Sequence, residues 1–67
     1  MVIEFGDRKI NVNLIREIEP KDITFANKIN YKLLVSYNKS ETELLSFYEN
    51  KEERDEFIKK IEDAWKG

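Results

Sequence analysis

Two adjacent pairs of leucines in the stretch YKLLVSYNKSETELLSFYEN, residues 31–50, are the strongest constraint on the fold. Around each pair apolar residues alternate with polar ones, which predicts strands at about 29–38 and 42–48 with a turn at Lys39–Ser40. A strand with one buried face alternates strictly, whereas an adjacent leucine pair places apolar side chains on both faces of a sheet. The sequence therefore predicts a long hairpin with a second apolar surface.

A turn at Lys39–Ser40 decides which side chains of this hairpin share a face, because it pairs Leu34 with Leu45 and Val35 with Leu44. One face is then broad and apolar, and we expect the C-terminal helix to cover it. The other face carries an apolar cluster of Leu34, Leu45 and Phe47 ringed by polar residues, which is typical of interaction sites. The candidate protein interface consists of Lys32, Leu34, Ser36, Glu43, Leu45 and Phe47. In the alternative interpretation the first hairpin folds across these residues and they are core.

Three further strands are predicted before this hairpin, at about 2–5, 9–15 and 22–26. Gly6-Asp7-Arg8 supplies the turn between the first two strands. Glu19-Pro20-Lys21-Asp22 is interpreted as a turn with proline at its second position, where its fixed φ is suitable.

The chain ends in a predicted amphipathic helix at about 51–66. Asn50 is a suitable N-cap and Glu53 stands in the capping-box position. The apolar residues of this segment share one stripe, which we expect to pack on the sheet: Phe57, Ile58, Ile61, Ala64 and Trp65. We predict one small α+β domain over residues 1–67. It has a mainly antiparallel sheet of four or five strands, or a small partial barrel, followed by the helix.

The composition excludes several kinds of chemistry. The 67 residues contain no cysteine and no histidine, which leaves no disulfide, no thiolate or imidazole metal site and no usual nucleophile–base pair. The acidic cluster Glu17, Glu19 and Asp22 is interpreted as a solvated turn. We therefore predict that the protein is not an enzyme, with no catalytic, cofactor-binding or metal-ligating residues. So small a core also makes added stabilisation from a partner or a second copy plausible.

Charge and hydropathy bear on the partners and the location. The formal net charge of -2 gives no global attraction to nucleic acid or to an anionic membrane. No apolar run approaches the roughly 18 residues needed to cross a bilayer, and the start of the chain lacks the features of a signal peptide. We expect a cytoplasmic protein without membrane insertion. Its abundant lysine, asparagine and isoleucine are typical of AT-rich bacterial or phage genomes.

The order of elements from about Val12 to Lys66 resembles the C-terminal part of a pleckstrin-homology-like domain. The stretches that carry the resemblance are NLIREI, ITF, YKLLVSY, ELLSFY and KEERDEFIKKIEDAW. The resemblance implies paired strands followed by a capping helix whose central aromatic, here Phe57, plugs the sheet. The chain has room for fewer strands than the family's barrel, and Arg8 and Lys9 are the only cations where membrane-binding members have a basic loop. Lipid or peptide binding is therefore a further alternative function.

The favoured function is noncatalytic binding to another protein, through a sheet edge or the outer apolar patch. A homodimer is one form, since a single patch then serves both partners. A small bacteriophage or mobile-element protein that inhibits a host factor is another. The main alternative is nucleic-acid binding, because cations and aromatics interleave along one stretch: Lys28, Tyr31, Lys32, Tyr37 and Lys39.

Overall fold

The computed structural model describes residues 2–66 and has an α+β fold, as predicted. The elements are β1 (Val2–Phe5), β2 (Arg8–Asn11), β3 (Glu17–Phe25), β4 (Lys28–Ser36), β5 (Thr42–Ser46) and one C-terminal helix, α1 (Lys51–Lys66). The five strands do not form the single sheet that was predicted. β1 and β2 make one antiparallel sheet, β3, β4 and β5 make a second in that order, and within residues 2–66 no barrel closes.

The division into two sheets begins at the end of β2, where the predicted strand 9–15 is interrupted. Residues Val12–Leu14 form a single 3-10 turn, and the Asn11 side chain accepts a hydrogen bond from the Asn13 backbone N–H at 3.0 Å. Asparagine favours such local bonds over a strand ladder. The turn buries Val12 and allows Ile15 to enter the same core. The break in alternation at Leu14–Ile15 thus marks a change of sheet.

Strand β3 is longer than predicted and contains Pro20, so the turn expected at Glu19–Asp22 is wrong. The reason is that β3 is an edge strand, since among the described residues only β4 pairs with it. Tyr31 directs its backbone groups toward the β5 side, where it bonds to Phe47 and Tyr48. The backbone groups of the next residue, Lys32, therefore point to β3, and those of its partner Lys21 point back to β4. Pro20, one residue away, points to the open edge, where a missing N–H is tolerated.

The β3–β4 hairpin turns through Ala26 and Asn27. Both have positive φ, 52° and 63°, and they separate the paired residues Phe25 and Lys28. Two consecutive residues in this conformation are characteristic of a type I′ turn, whose twist matches that of the flanking strands. This two-residue turn therefore fixes the register of β3 against β4, although neither turn residue is glycine.

The β4–β5 hairpin has a different register from the predicted one. The Tyr37 N–H donates to the Glu41 carbonyl at 2.9 Å, which closes a three-residue loop instead of the expected two-residue turn. The Asn38 side chain holds this loop by accepting from the backbone N–H of Ser40 and of Glu41, at 2.9 and 2.8 Å. One extra loop residue moves every side chain of β5 to the opposite face. Leu45 therefore pairs with Leu33, and Leu44 pairs with Leu34.

The core lies on one face of the three-stranded sheet, and both the first hairpin and α1 pack there. Its buried members are Ile3, Ile10, Val12, Ile15, Leu33, Val35, Leu45, Phe47, Phe57 and Ile61. At its centre the rings of Phe5, Phe47 and Phe57 lie with centroids 5.1 to 5.8 Å apart in edge-on and tilted arrangements. The first hairpin therefore covers the same face as the helix, and no element within residues 2–66 covers the other face.

The cap predicted for the helix is present. The Asn50 Oδ1 accepts from the Glu53 backbone N–H at 3.0 Å, and the Asn50 amide donates to the Glu53 carboxylate at 3.1 Å. One turn further, the buried Arg54 reaches the sheet. It donates to Asp22 at 2.5 Å, and its guanidinium lies 5.3 Å from the centre of the Tyr31 ring. The cap fixes where α1 begins, and Arg54 fixes where it lies on the sheet.

Candidate functional site

We define the outer face as the surface of the three-stranded sheet that points away from α1 and the first hairpin. Register places Leu34 and Leu44 directly opposite each other on it, with Ile23 and Phe25 further along β3. Leu44 is 47% exposed, Ile23 44% and Phe25 77%, while Leu34 is half-buried. The Leu34–Leu44 pair is an apolar centre on a sheet face that no element of residues 2–66 covers, which is a feature of interaction sites, and Ile23 and Phe25 lie beyond Lys21 and Lys32. The outer face is therefore the candidate functional site.

The predicted interface residues divide between the two faces. Lys32, Leu34 and Ser36 lie on the outer face, as the hairpin pattern implied. Leu45 and Phe47, 1% and 4% exposed, lie in the core instead, as a consequence of the three-residue loop. Glu43 also lies on the core side, where it pairs with Arg8. The outer cluster of Leu34, Leu45 and Phe47 is thus corrected: Leu44 takes the place of Leu45, and Phe47 has no counterpart there.

Next to the leucine pair, two lysines face each other across the outer face. Lys21 pairs directly with Lys32 in the β3–β4 register. Lys21 has a carboxylate neighbour, since its Nζ lies 3.2 Å from Glu19, while Lys32 makes no ion pair within residues 2–66. Like charges directly opposite each other destabilise a sheet, so this pair carries a cost that an incoming carboxylate would relieve. The outer face thus combines an apolar centre with charges of both signs, among which Lys32 makes no ion pair within residues 2–66.

A second group of polar side chains lies on the core side of the sheet, in an open groove between β2 and the β4–β5 loop. Arg8 forms an ion pair with Glu43, and the Tyr37 hydroxyl donates to the same carboxylate at 3.3 Å. The hydrogen bond from Arg8 lowers the pKa of Glu43. Partial burial, and then the negative charge of Glu43, raise the pKa of Tyr37. Both groups are thus held in their ordinary charge states, and the arrangement ties the first hairpin to the sheet.

The structure does not bring the three carboxylates of the acidic cluster Glu17, Glu19 and Asp22 together. Glu17 and Glu19 lie on the outer face, whereas Asp22 points to the core side and binds Arg54. Within residues 2–66 no group of three or more histidine, cysteine, aspartate or glutamate side chains is placed so that it could hold a metal ion.

The cations and aromatics proposed for nucleic acid also divide. Lys28 and Lys32 lie on the outer face. Tyr31 lies beneath Arg54 and Tyr37 bonds to Glu43, both on the core side. The strand alternation that interleaves them in sequence places them on opposite faces, so this stretch offers no single surface of mixed cations and aromatics.

Sequence reasoning did not include Ile23, Phe25 or Leu44 in the site. The sequence did contain a signal for Ile23 and Phe25, because residues two apart in a strand lie on the same face of a sheet. Their partners Asn30 and Lys28 are polar, which leaves both side chains without an apolar neighbour across the ladder. Leu44 could not be placed, since its face depends on the length of the loop before it.

In the part of the chain that the structure describes, no helix has the length and apolar composition required to cross a membrane. Comparison with protein-family models, with curated proteins and with solved structures finds no match to this chain.

Proposed function

We propose that this chain is a noncatalytic protein-binding module whose binding surface is the outer face of the three-stranded sheet. The observation that supports this most directly is the pairing of Leu34 with Leu44 beside the opposed lysines Lys21 and Lys32, on a face without a covering element in residues 2–66. An apolar centre with charged neighbours is the common arrangement of protein interfaces. The partner that fits is a protein surface with an apolar centre and carboxylates beside it.

In this proposal the charges of the outer face select the partner. Lys32 is half-buried and lies directly opposite Lys21. A carboxylate placed between Lys21 and Lys32 would relieve their repulsion, whereas a cationic partner would increase it. Complementary charge of this kind affects specificity and association rate more than total affinity. The leucines would then contribute the apolar area that is buried on binding, and the lysines would determine which partner binds.

The test is affinity enrichment from the source cell with immobilised wild-type protein and variants. We expect Leu44→Asp and Leu34→Asp to lose a partner that the wild type retains, because each places a carboxylate in the apolar centre. Leu14→Asp is the matched control, since Leu14 is an exposed leucine on the 3-10 turn. Retention by both outer-face variants, or equal loss with Leu14→Asp, would contradict the proposal. Circular dichroism of each variant checks that the fold is unchanged.

The same variants distinguish the other two functions considered for this chain. Binding of a labelled single-stranded oligonucleotide at moderate salt, lost in Lys32→Glu and retained in Leu44→Asp, would indicate nucleic-acid recognition instead. Co-sedimentation with vesicles that contain phosphoinositides would indicate the lipid-binding alternative. We expect neither for the wild type, because its net charge is negative.

A further inference from the structure

The free edge of β3 has two halves with different hydrogen-bonding capacity. Pro20 points its backbone to this edge and has no N–H to donate. Asp22 and Thr24 point to the same edge, and each has both an N–H and a carbonyl there. Among the described residues no strand pairs with this side of β3. The N-terminal half of the edge is therefore blocked, while Lys21–Phe25 can still accept another strand.

The sequence of this half edge is complementary to itself. In an antiparallel pair of two copies related by a two-fold axis beside Ile23, Ile23 meets its own counterpart and Lys21 meets Phe25 of the other copy. Both are non-hydrogen-bonded positions, where side chains come closest. Asp22 and Thr24 of one copy exchange backbone hydrogen bonds with Thr24 and Asp22 of the other, so four bonds form.

Other registers are less favourable. Centring the pair on Asp22 places two carboxylates opposite each other and Pro20 at a bonding position. Centring it on Lys21 opposes two lysines, and like charges in direct opposition are destabilising. Centring it on Thr24 leaves only two backbone bonds, because the next outward position is Ala26 in the turn. The register centred on Ile23 avoids like-charge pairs and keeps Pro20 out of the hydrogen-bonded positions.

We propose that two copies of this chain associate through Lys21–Phe25 of β3, in the register centred on Ile23, to form a continuous six-stranded sheet. This pairing covers the exposed side chains of Ile23 and Phe25. It also keeps the two outer faces on the same side, because the two-fold axis is perpendicular to the sheet. Pro20 limits the overlap to the short segment that follows it. The association uses the strand edge and does not involve Leu34 or Leu44, so those two leucines can be tested separately, although Lys21 takes part in both proposals.

Analytical ultracentrifugation from micromolar to millimolar protein tests the dimer. We expect a monomer–dimer equilibrium in the wild type, weakened about tenfold or more by Ile23→Lys, which opposes two like charges at the axis. Thr24→Pro should weaken it similarly, because it removes an N–H that does not bond to β4. Ile29→Lys is the matched control, since Ile29 is 42% exposed against 44% for Ile23 and lies on β4. A wild type that stays monomeric at every concentration, or equal weakening by Ile29→Lys, would overturn the proposal.

Cross-linking provides a second measurement that reports the register. The chain has no cysteine, so Ile23→Cys introduces a single thiol. At a non-hydrogen-bonded pair on the two-fold axis the Cα separation of about 4.5 Å is within disulfide range. We expect oxidation to give a covalent dimer of Ile23→Cys much faster than of Ile29→Cys. Equal rates for the two variants would contradict the register, and a dimer dissociated by Leu44→Asp would contradict the use of the β3 edge.

Discussion

Arg54 of the helix and Asp22 of the edge strand form an ion pair with Nη1 2.5 Å from Oδ1, although they are 32 positions apart in sequence. Arg54 is buried, while about half of the Asp22 side chain is exposed. Burial acts to lower the pKa of the guanidinium, but hydrogen bonds to Asp55 and Asp22 outweigh it and raise the pKa. The guanidinium also donates to the Lys32 carbonyl at 3.4 Å. One side chain thus connects α1 to both β3 and β4.

We expect Arg54→Ala to lower the free energy of unfolding by about 2–3 kcal/mol, because it removes buried packing and several charge-assisted hydrogen bonds. Asp22→Asn should cost about 1 kcal/mol or less, since the carboxylate is half-exposed and Arg54 keeps its bond to Asp55. Urea unfolding followed by circular dichroism measures both. An equal loss in the two variants would show that the ion pair, and not the buried side chain, holds the helix.

The β5 register is tested by two adjacent leucines. Leu45→Ala should lower the free energy of unfolding by about 2–5 kcal/mol, because it opens a cavity in the core. Leu44→Ala should cost about 0.5 kcal/mol or less, since Leu44 lies on the outer face and is 47% exposed. Thermal and urea unfolding of the two variants under identical conditions give the comparison. The opposite order of the two losses would support the two-residue turn at Lys39–Ser40 instead.

The turn between β3 and β4 offers a route to higher stability. Ala26 has a positive φ, which costs an L-residue roughly 1 kcal/mol, and Asn-Gly is the preferred pair for this turn type. The double substitution Ala26→Asn and Asn27→Gly should therefore raise the free energy of unfolding by about 1 kcal/mol. Ala26→Val is the contrasting variant and should lower it, because a branched side chain tolerates positive φ poorly. Differential scanning calorimetry measures both changes, and stabilisation by valine would contradict the turn assignment.

Glu43 should make stability depend on pH. Its pKa in the folded chain is lowered from the ordinary value of 4.5 by the hydrogen bond from Arg8. A carboxyl with a lowered folded pKa contributes stability that is present above its unfolded pKa and lost as the pH falls through the folded value. The stability difference between wild type and Glu43→Gln should therefore be constant near neutral pH and decrease below about pH 4.5.

Urea unfolding at a series of pH values gives this difference. The control is the same substitution made in a chain that already carries Arg8→Ala. In that chain the change in the free energy of unfolding caused by Glu43→Gln should depend less on pH. A difference that grows as the pH falls would contradict the ion pair.

The C-terminal helix could be predicted because its signals are local: a cap at Asn50 and an apolar stripe of helical period. The β5 register could not, since it depends on whether the Asn38 side chain closes a loop of two or three residues. Pro20 suggested a turn because its tolerance within a strand depends on which edge faces solvent, which is a tertiary property. Alternation alone was enough to place Leu34 on the outer face. Its partner Leu44 could not be identified without knowing the length of the Asn38–Ser40 loop.

The three-residue loop Asn38–Ser40 has a consequence for how this chain can change length. Surface loops usually tolerate the gain or loss of a residue. Deleting one residue here would rotate β5 so that Leu44 and Ser46 face the core and the side chains of Leu45 and Phe47 face solvent. Substitution of the exposed Lys39 is compatible with the fold, whereas deletion of one loop residue would exchange the core and solvent faces of β5. The number of residues in this exposed loop is therefore as strictly determined as the identity of a core side chain.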